Sequence, residues 1–157
     1  MPTRMDVTSR PTRCSAYPTA MTNHSFIVGP LKLENCIDFL DSNELRSKRT
    51  LLFVSDANFA TLYDHLTAEN FPIVSVHDDK APESSNYTII ITTNLPGSGD
   101  IDTVVNYDMP TNHGEYQSRL IGRPKMVVSF ASTPEDINAA TGIYNSLDPS
   151  VVRDWIE

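Results

Sequence analysis

Six short runs of aliphatic and β-branched residues decide what this chain can build: Phe26–Val28, Leu51–Val54, Ile73–Val76, Tyr87–Ile91, Thr103–Asn106 and Met126–Phe130. Continuous apolar runs this short fit strands buried on both faces, and they fall far below the roughly 20 apolar residues of a membrane span. Between them, apolar residues recur at helical spacing, first at Leu33, Cys36, Ile37 and Leu40, then at Phe59, Leu62, Tyr63 and Leu66. Ser55-Asp56 offers side-chain acceptors for the start of the second helix, and Asn70 closes it before Pro72. A short helix is predicted over 112–120. Thr133-Pro134-Glu135-Asp136 opens a last helix with a capping residue and a proline at its first position, turning Ile137, Ala140 and Tyr144 inward. Asp154-Trp155-Ile156 then supplies an aromatic anchor.

Short buried strands alternating with amphipathic helices specify an α/β fold with a mostly parallel sheet, Phe26–Val28 serving as an edge strand. One connection resists this scheme. Only His77–Asn86, interrupted by Pro82, separate the run at 73–76 from that at 87–91, and a parallel crossover needs a dozen residues or more. Either a covering helix is missing there or the two strands are not simple parallel neighbours.

Of the 157 residues, 39% are hydrophobic and 20% charged, enough for one domain with a core that needs no metal or disulfide staple. Cys14 and Cys36 make neither a disulfide framework nor a four-ligand metal site, so a reduced, intracellular setting is expected. His24, His65 and His113 have no Cys or second His at ligand spacing, and no metal is expected. Residues 1–22, rich in Thr and Pro and poor in large aliphatics, read as a disordered tail ahead of one folded unit at 23–157. The tail holds Arg4, Arg10 and Arg13 against Asp6, a charge of +2, and no apolar stretch of the kind a secretory signal carries. The whole chain is at −8, which leaves −10 for the folded part. That is the wrong sign for a domain whose first task is to grip nucleic acid by its phosphates.

Several segments, in order and near the expected spacing, resemble a known family. They are Leu51-Leu52-Phe53-Val54, Ser75-Val76-His77-Asp78-Asp79, Val104-Val105-Asn106-Tyr107-Asp108-Met109-Pro110, Glu115-Tyr116 with Arg119 and Ile121-Gly122-Arg123, and Asp154-Trp155-Ile156-Glu157. Together they look like the second, C-terminal RecA-like lobe of DEAD-box RNA helicases, nearest the Vasa and Ded1-like branch. The resemblance implies a three-layer RecA-like fold over residues 23–157. It also implies relic nucleotide contacts at Gly99, Asp100, Arg119 and Arg123, and relic RNA contacts at Thr93 and His77.

The departures from the family pattern are as telling. The sequence has no GxxxxGK[ST] loop to cradle phosphates and no Asp-Glu-Ala-Asp to hold magnesium. Thr92–Asp100 keeps Thr93, Gly99 and Asp100 of the family's ATxxxxRGxD, but Ser98 stands at the arginine and one residue is missing. Gly97-Ser98-Gly99 reads either as a phosphate-cradling nest or as a plain turn. In Ser118-Arg119-Leu120-Ile121-Gly122-Arg123-Pro124-Lys125, Ser118 replaces the family's His, a residue is inserted after Arg119, and the final Gly-Arg is gone. One inserted residue turns a helix by about 100 degrees, so Arg119 and Arg123 cannot both keep family positions without a bulge. Arg119 and Arg123 then either retain phosphate or pair with local carboxylates such as Glu115.

These observations predict a catalytically inactive lobe, needing no cofactor, that binds proteins in RNA metabolism or RNA granules. The expected partners are LOTUS-type or scaffold proteins, or an RNA helicase complex, with RNA weak or absent, no membrane, and a cytoplasmic place that includes germ granules. The alternative is a residual RNA- and ATP-binding lobe that works with a first lobe supplied in trans.

Overall fold

The structure, a computed structural model, describes residues 22–42, 49–75, 88–93, 101–120 and 124–157. In chain order its elements are β1 (Asn23–Val28), α1 (Lys32–Leu40), β2 (Arg49–Phe53), α2 (Asp56–Ala68), β3 (Ile73–Ser75), β4 (Thr88–Thr92), β5 (Thr103–Asn106), α3 (His113–Ser118), β6 (Met126–Ala131), α4 (Pro134–Ser146) and β7 (Arg153–Ile156). The described strands form one sheet in the order β3-β4-β2-β5-β6-β1-β7. Every adjacent pair is parallel. None of the described helices is long and apolar enough to cross a membrane. The tail at 1–21 and the connection at 76–87 lie outside the described residues.

Side chains of a strand alternate between faces, so each apolar run feeds two cores. On one face Leu52, Ile89, Ile91, Val105, Val128 and Phe130 meet Cys36 and Leu40 of α1 and Leu62 and Leu66 of α2. On the other, Phe26, Leu51, Phe53, Val104 and Val127 meet Tyr116 of α3 and Ala140 and Ile143 of α4. This is the three-layer α/β arrangement expected from the sequence. Cys36 is fully buried core, its thiol pushed up to about 12 by burial.

The helix ends follow local chemistry. At the end of α2, Asn70 adopts φ +66°, the left-handed conformation that Asn tolerates better than most residues. The Phe71 amide then donates to Leu66 O and the Asn70 amide to Thr67 O, closing the orphan carbonyls in a Schellman motif. At the start of α4, Thr133 and Asp136 form a reciprocal capping box with Pro134 in the first turn, as the sequence predicts.

Three details correct the sequence reading, the place of β1, the strand at 153–156 and the cap of α2, and one open alternative is decided. β1 is not an edge strand but lies between β6 and β7, because residues 153–156 do more than anchor: they add a parallel strand on its far side. Trp155 also serves as the anchor, packed on Phe26 and Tyr144 with ring centroids 5.9 and 5.6 Å away. Arg153 fixes this strand to α4 by donating from Nη1 to Tyr144 O at 2.6 Å, which serves a carbonyl at the helix's negative end. The strands β3 and β4 are parallel neighbours, Ile73 opposite Ile89, which removes the second of the two alternatives for their short connection. Finally, the Ser55 side chain makes no capping bond on α2.

Thr50, on central strand β2, is fully buried and its hydroxyl has no hydrogen-bond partner among the described residues. A buried unsatisfied hydroxyl costs about 1–3 kcal/mol, and valine fills the same volume without it. Thr50→Val is therefore expected to raise the stability by about 1 kcal/mol, read as a higher urea midpoint at unchanged m-value. A lower midpoint would contradict this.

Candidate functional site

In a parallel α/β sheet, the carboxyl ends of the strands are where loops can converge on a ligand. Here that edge is organised by the segment Asn106–Pro110, which leaves β5. Asp108 extends past the strand. Its carboxylate accepts from the Ser55 backbone amide at 2.6 Å, from Asn58 Nδ2 at 2.9 Å and from Lys32 Nζ at 3.0 Å. Ser55 immediately precedes α2, so Asp108 places a negative charge at that helix's positive end. Lys32 opens α1, and its ammonium also lies 4.5 Å from the centroid of the Tyr107 ring. One carboxylate thus ties α1, α2 and the end of β5. Burial pushes the Asp108 carboxyl up, but the Ser55 amide and Lys32 outweigh burial and hold it below its ordinary value.

Strand register places Phe53, Asn106, Ser129 and Phe26 side by side across β2, β5, β6 and β1. Two polar residues therefore stand in the middle of an apolar row. Asn106 Nδ2 donates to Ser129 Oγ at 3.0 Å, and Asn106 Oδ1 accepts from Arg119 Nη1 at 2.9 Å. Arg119, at the carboxyl end of α3, also donates to Asp108 O at 3.0 Å and to Glu115 Oε2 at 2.9 Å. Its guanidinium lies 4.7 Å from the centroid of the Phe53 ring. With 13% of its side chain exposed and both terminal nitrogens engaged, it is an internal tie. Glu115 is held in place in turn, accepting from the Thr111 amide and hydroxyl, and these bonds keep its carboxyl below the ordinary value.

The network continues inward from Ser129 through Tyr116 to His24, whose Nδ1 lies 2.7 Å from the Tyr116 hydroxyl. Running outward from Asn106, each hydroxyl accepts from one neighbour and donates to the next. That direction, assigned from the network, leaves His24 Nδ1 as an acceptor and the ring proton on Nε2. His24 is 4% exposed. Burial, and secondarily the field of His113, lower its pKa from 6.5 to about 4.

The structure places Thr93 just after β4, half-buried, at the same edge of the sheet as Arg119. His77, Gly99, Asp100 and Arg123 lie outside the described residues. Of the two alternatives for Arg119, the described geometry is the pair with Glu115. Among the described residues, no three His, Cys, Asp or Glu side chains are grouped as a metal ion would require. The sequence reading passed over Lys32, Asn106, Asp108, Ser129 and His24 as site residues. The signal for two of them was present, since Asn106 and Asp108 flank Tyr107 at the end of a strand and Arg119 follows one helix later. Nothing in the sequence pointed to Lys32.

Because the folded-state pKa of His24 lies below its unfolded value, the unfolded chain binds the extra proton between about pH 4 and 6.5. Stability contributed by keeping His24 neutral is complete above pH 6.5 and falls as the pH drops through that window. At 1.36 kcal/mol per unit, the full loss is roughly 3 kcal/mol. Urea unfolding at pH 7 and pH 5 is expected to show this fall, and His24→Gln to flatten it. An unchanged slope in the variant would contradict the assignment.

No protein-family model matches the chain. In sequence it is similar to two ATP-dependent RNA helicases of Caenorhabditis elegans. It is 25% identical to glh-3 over 132 residues, covering 70% of this chain and 18% of glh-3. To glh-1 it is 26% identical over 138 residues, covering 74% and 18%. The chain thus spans under a fifth of the length of these curated relatives. In structure it is similar to the C-terminal domain of Saccharomyces cerevisiae Dbp5 bound to Gle1 and IP6, with TM-score 0.61, 18% identity and coverage of 86% of this chain and 90% of that one. It is also similar to the Escherichia coli DEAD-box protein SrmB bound to RraA, with TM-score 0.62, 14% identity and coverage of 87% and 91%. A DEAD-box protein from Methanococcus jannaschii gives TM-score 0.64 at 16% identity, covering 98% of this chain and 46% of that one. The fold of this chain is that of the RecA-like lobe that forms the C-terminal domain of DEAD-box proteins.

Proposed function

We propose that this lobe is a protein-docking module of RNA metabolism that neither turns over ATP nor grips RNA by itself. One observation carries the reading. The two cations that the described residues bring to the carboxyl edge of the sheet, Lys32 and Arg119, are both held by this lobe's own carboxylates, Asp108 and Glu115. A guanidinium that stabilises a phosphoryl group must present free donors to it. Arg119 instead holds α3 against β2 and β5. The acidic balance of residues 23–157 works in the same direction, since affinity for a nucleic acid backbone comes chiefly from cations that replace its counterions. The damaged Thr92–Asp100 and Ser118–Lys125 motifs add to this. Support for protein docking comes from the structural relatives, where SrmB is bound to RraA and the Dbp5 domain to Gle1. By this reading the lobe works in the cytoplasm, in RNA or germ granules.

The competing reading keeps weak RNA and ATP affinity through Thr93, Gly99, Asp100, Arg119 and Arg123, with a first lobe acting in trans. The position of Thr93 at the carboxyl edge is what favours it. Fluorescence anisotropy of a labelled single-stranded RNA titrated with the full chain, at low and at physiological salt and with or without ATP, separates the two. Our reading expects no binding tighter than about 100 μM, which corresponds to only about 5 kcal/mol. Micromolar, ATP-sensitive binding would overturn it in favour of the competing one.

A further inference from the structure

The strand β7 ends the sheet, and among the described residues no strand pairs with its outer side. Which of its backbone groups face outward follows from the ladder with β1. His24 stands opposite Arg153, and the His24 amide donates to Val152 O at 2.8 Å. In a parallel ladder the groups facing one neighbour come from alternate residues, so Val152, Asp154 and Ile156 turn theirs toward β1. The N–H and C=O groups of Arg153, Trp155 and Glu157 therefore face away from the sheet. An edge of this kind is a template for another strand. No proline interrupts residues 153–157 to block it. Val152 and Ile156, 44% and 50% exposed, are two of the three large apolar side chains that the described residues leave exposed, and both lie along this edge.

The charges on the edge select the strand that fits it. In an antiparallel pair, directly opposite residues either both turn their backbone groups toward the partner or both turn them away. Two copies of β7 related by a two-fold axis therefore pair only with the axis at a residue, not between residues. An axis at Arg153 sets two arginines face to face, and one at Asp154 sets two aspartates face to face, both of which are destabilising. An axis at Ile156 forms no pair of opposite charges. An axis at Trp155 sets Arg153 of each copy opposite Glu157 of the partner subunit, and the two tryptophans opposite each other. The side chains are placed for this. Trp155 Nε1 donates to Glu157 Oε2 at 2.8 Å, so Glu157 lies on the same face as Trp155 and Arg153. The bonds of Arg153 to Tyr144 O and Leu147 O use Nη1 alone, which leaves the rest of the guanidinium for a carboxylate.

We propose that two copies of this chain associate edge to edge through β7, antiparallel about a two-fold axis at Trp155, so that their sheets join. The contact is isologous and closes at two copies. Residues 153–157 of each copy are few beside the roughly 20–30 a side of a standard interface, so a dissociation constant on the order of 100 μM is expected.

Sedimentation equilibrium of the full chain between about 10 and about 500 μM is expected to show the average mass rising toward that of two copies. Amide hydrogen exchange over the same range identifies the strand. By mass action the Arg153 and Trp155 amides exchange roughly threefold more slowly at the upper concentration, while those of Asp154 and Ile156, already bonded to β1, do not change. Glu157 is exposed, so Glu157→Arg leaves the core untouched. It sets arginine against arginine at both ends of the pairing and is expected to weaken dimerisation at least about tenfold. A chain that stays monomeric throughout, a mass that climbs beyond two copies, Arg153 and Trp155 amides whose exchange ignores concentration, or a dimer equally strong in Glu157→Arg would each overturn the proposal.

Discussion

The carboxyl edge of this sheet rests on a pair of ion pairs joined through one backbone residue. Asp108 receives Lys32 on its side chain and Arg119 on its carbonyl, and Arg119 passes the charge on to Glu115. Exposed ion pairs contribute little to stability, because water and salt screen them. Here the cations are shielded, while the Asp108 and Glu115 side chains are 22% and 40% exposed. The Arg119 and Lys32 side chains are 13% and 15% exposed, and each cation also lies over an aromatic ring. Removing either cation would leave a desolvated acceptor behind, and an unmade bond at such a site costs more than the bond itself contributes. Four elements depend on this arrangement: α1 through Lys32, α2 through Ser55 and Asn58, β5 through Asn106, and α3 through Arg119 and Glu115.

The same residues determine what the carboxyl edge of the sheet presents. In a parallel sheet the strand ends and helix N-termini at this edge are a ready place for an anion. Here the lobe's own Asp108 fills the place at α2, and the lobe's own carboxylates hold Lys32 and Arg119, the two cations the described residues bring to this edge. The apolar layers beneath are ordinary for the fold: strands buried on both faces, one set of helices per face, and a last strand locked by Trp155 and Arg153. Above them the polar groups close on one another, from Thr111 through Glu115, Arg119, Asn106, Ser129 and Tyr116 to His24.

The elements were legible because their signals are local. The apolar runs at 51–54 and 126–130 lie in a parallel sheet, Thr133-Pro134-Glu135-Asp136 caps α4, and Asn70 ends α2. What escaped is set by distance in sequence. β1 read as an edge strand because its outer neighbour, residues 153–156, is joined to it only by the fold, and Arg153-Asp154-Trp155-Ile156 is too short and too charged to announce a strand. The cap of α2 was assigned to Ser55-Asp56, while its anion comes from Asp108, more than 50 residues away. Arg119 was read through family resemblance as a phosphate contact or a partner of Glu115. The sequence could not rank these, because the decision rests on Phe53 and Asn106, which only the strand register brings beneath it. His24, read merely as lacking metal-ligand spacing, proves to be a buried acceptor for a tyrosine 92 residues later.

Arg119 holds either the lobe together or a phosphate, and one variant asks both questions. For Arg119→Ala in the full chain, the unfolding free energy in urea and the affinities for RNA and ATP are measured side by side. Loss of the bonds to Asn106, Asp108 and Glu115 and of the stacking on Phe53 predicts a destabilisation of about 2–4 kcal/mol, with RNA and ATP affinities as weak as in the unaltered chain. A stability unchanged within about 0.5 kcal/mol, together with a clear loss of RNA or ATP binding, would contradict it and identify Arg119 as a phosphate ligand.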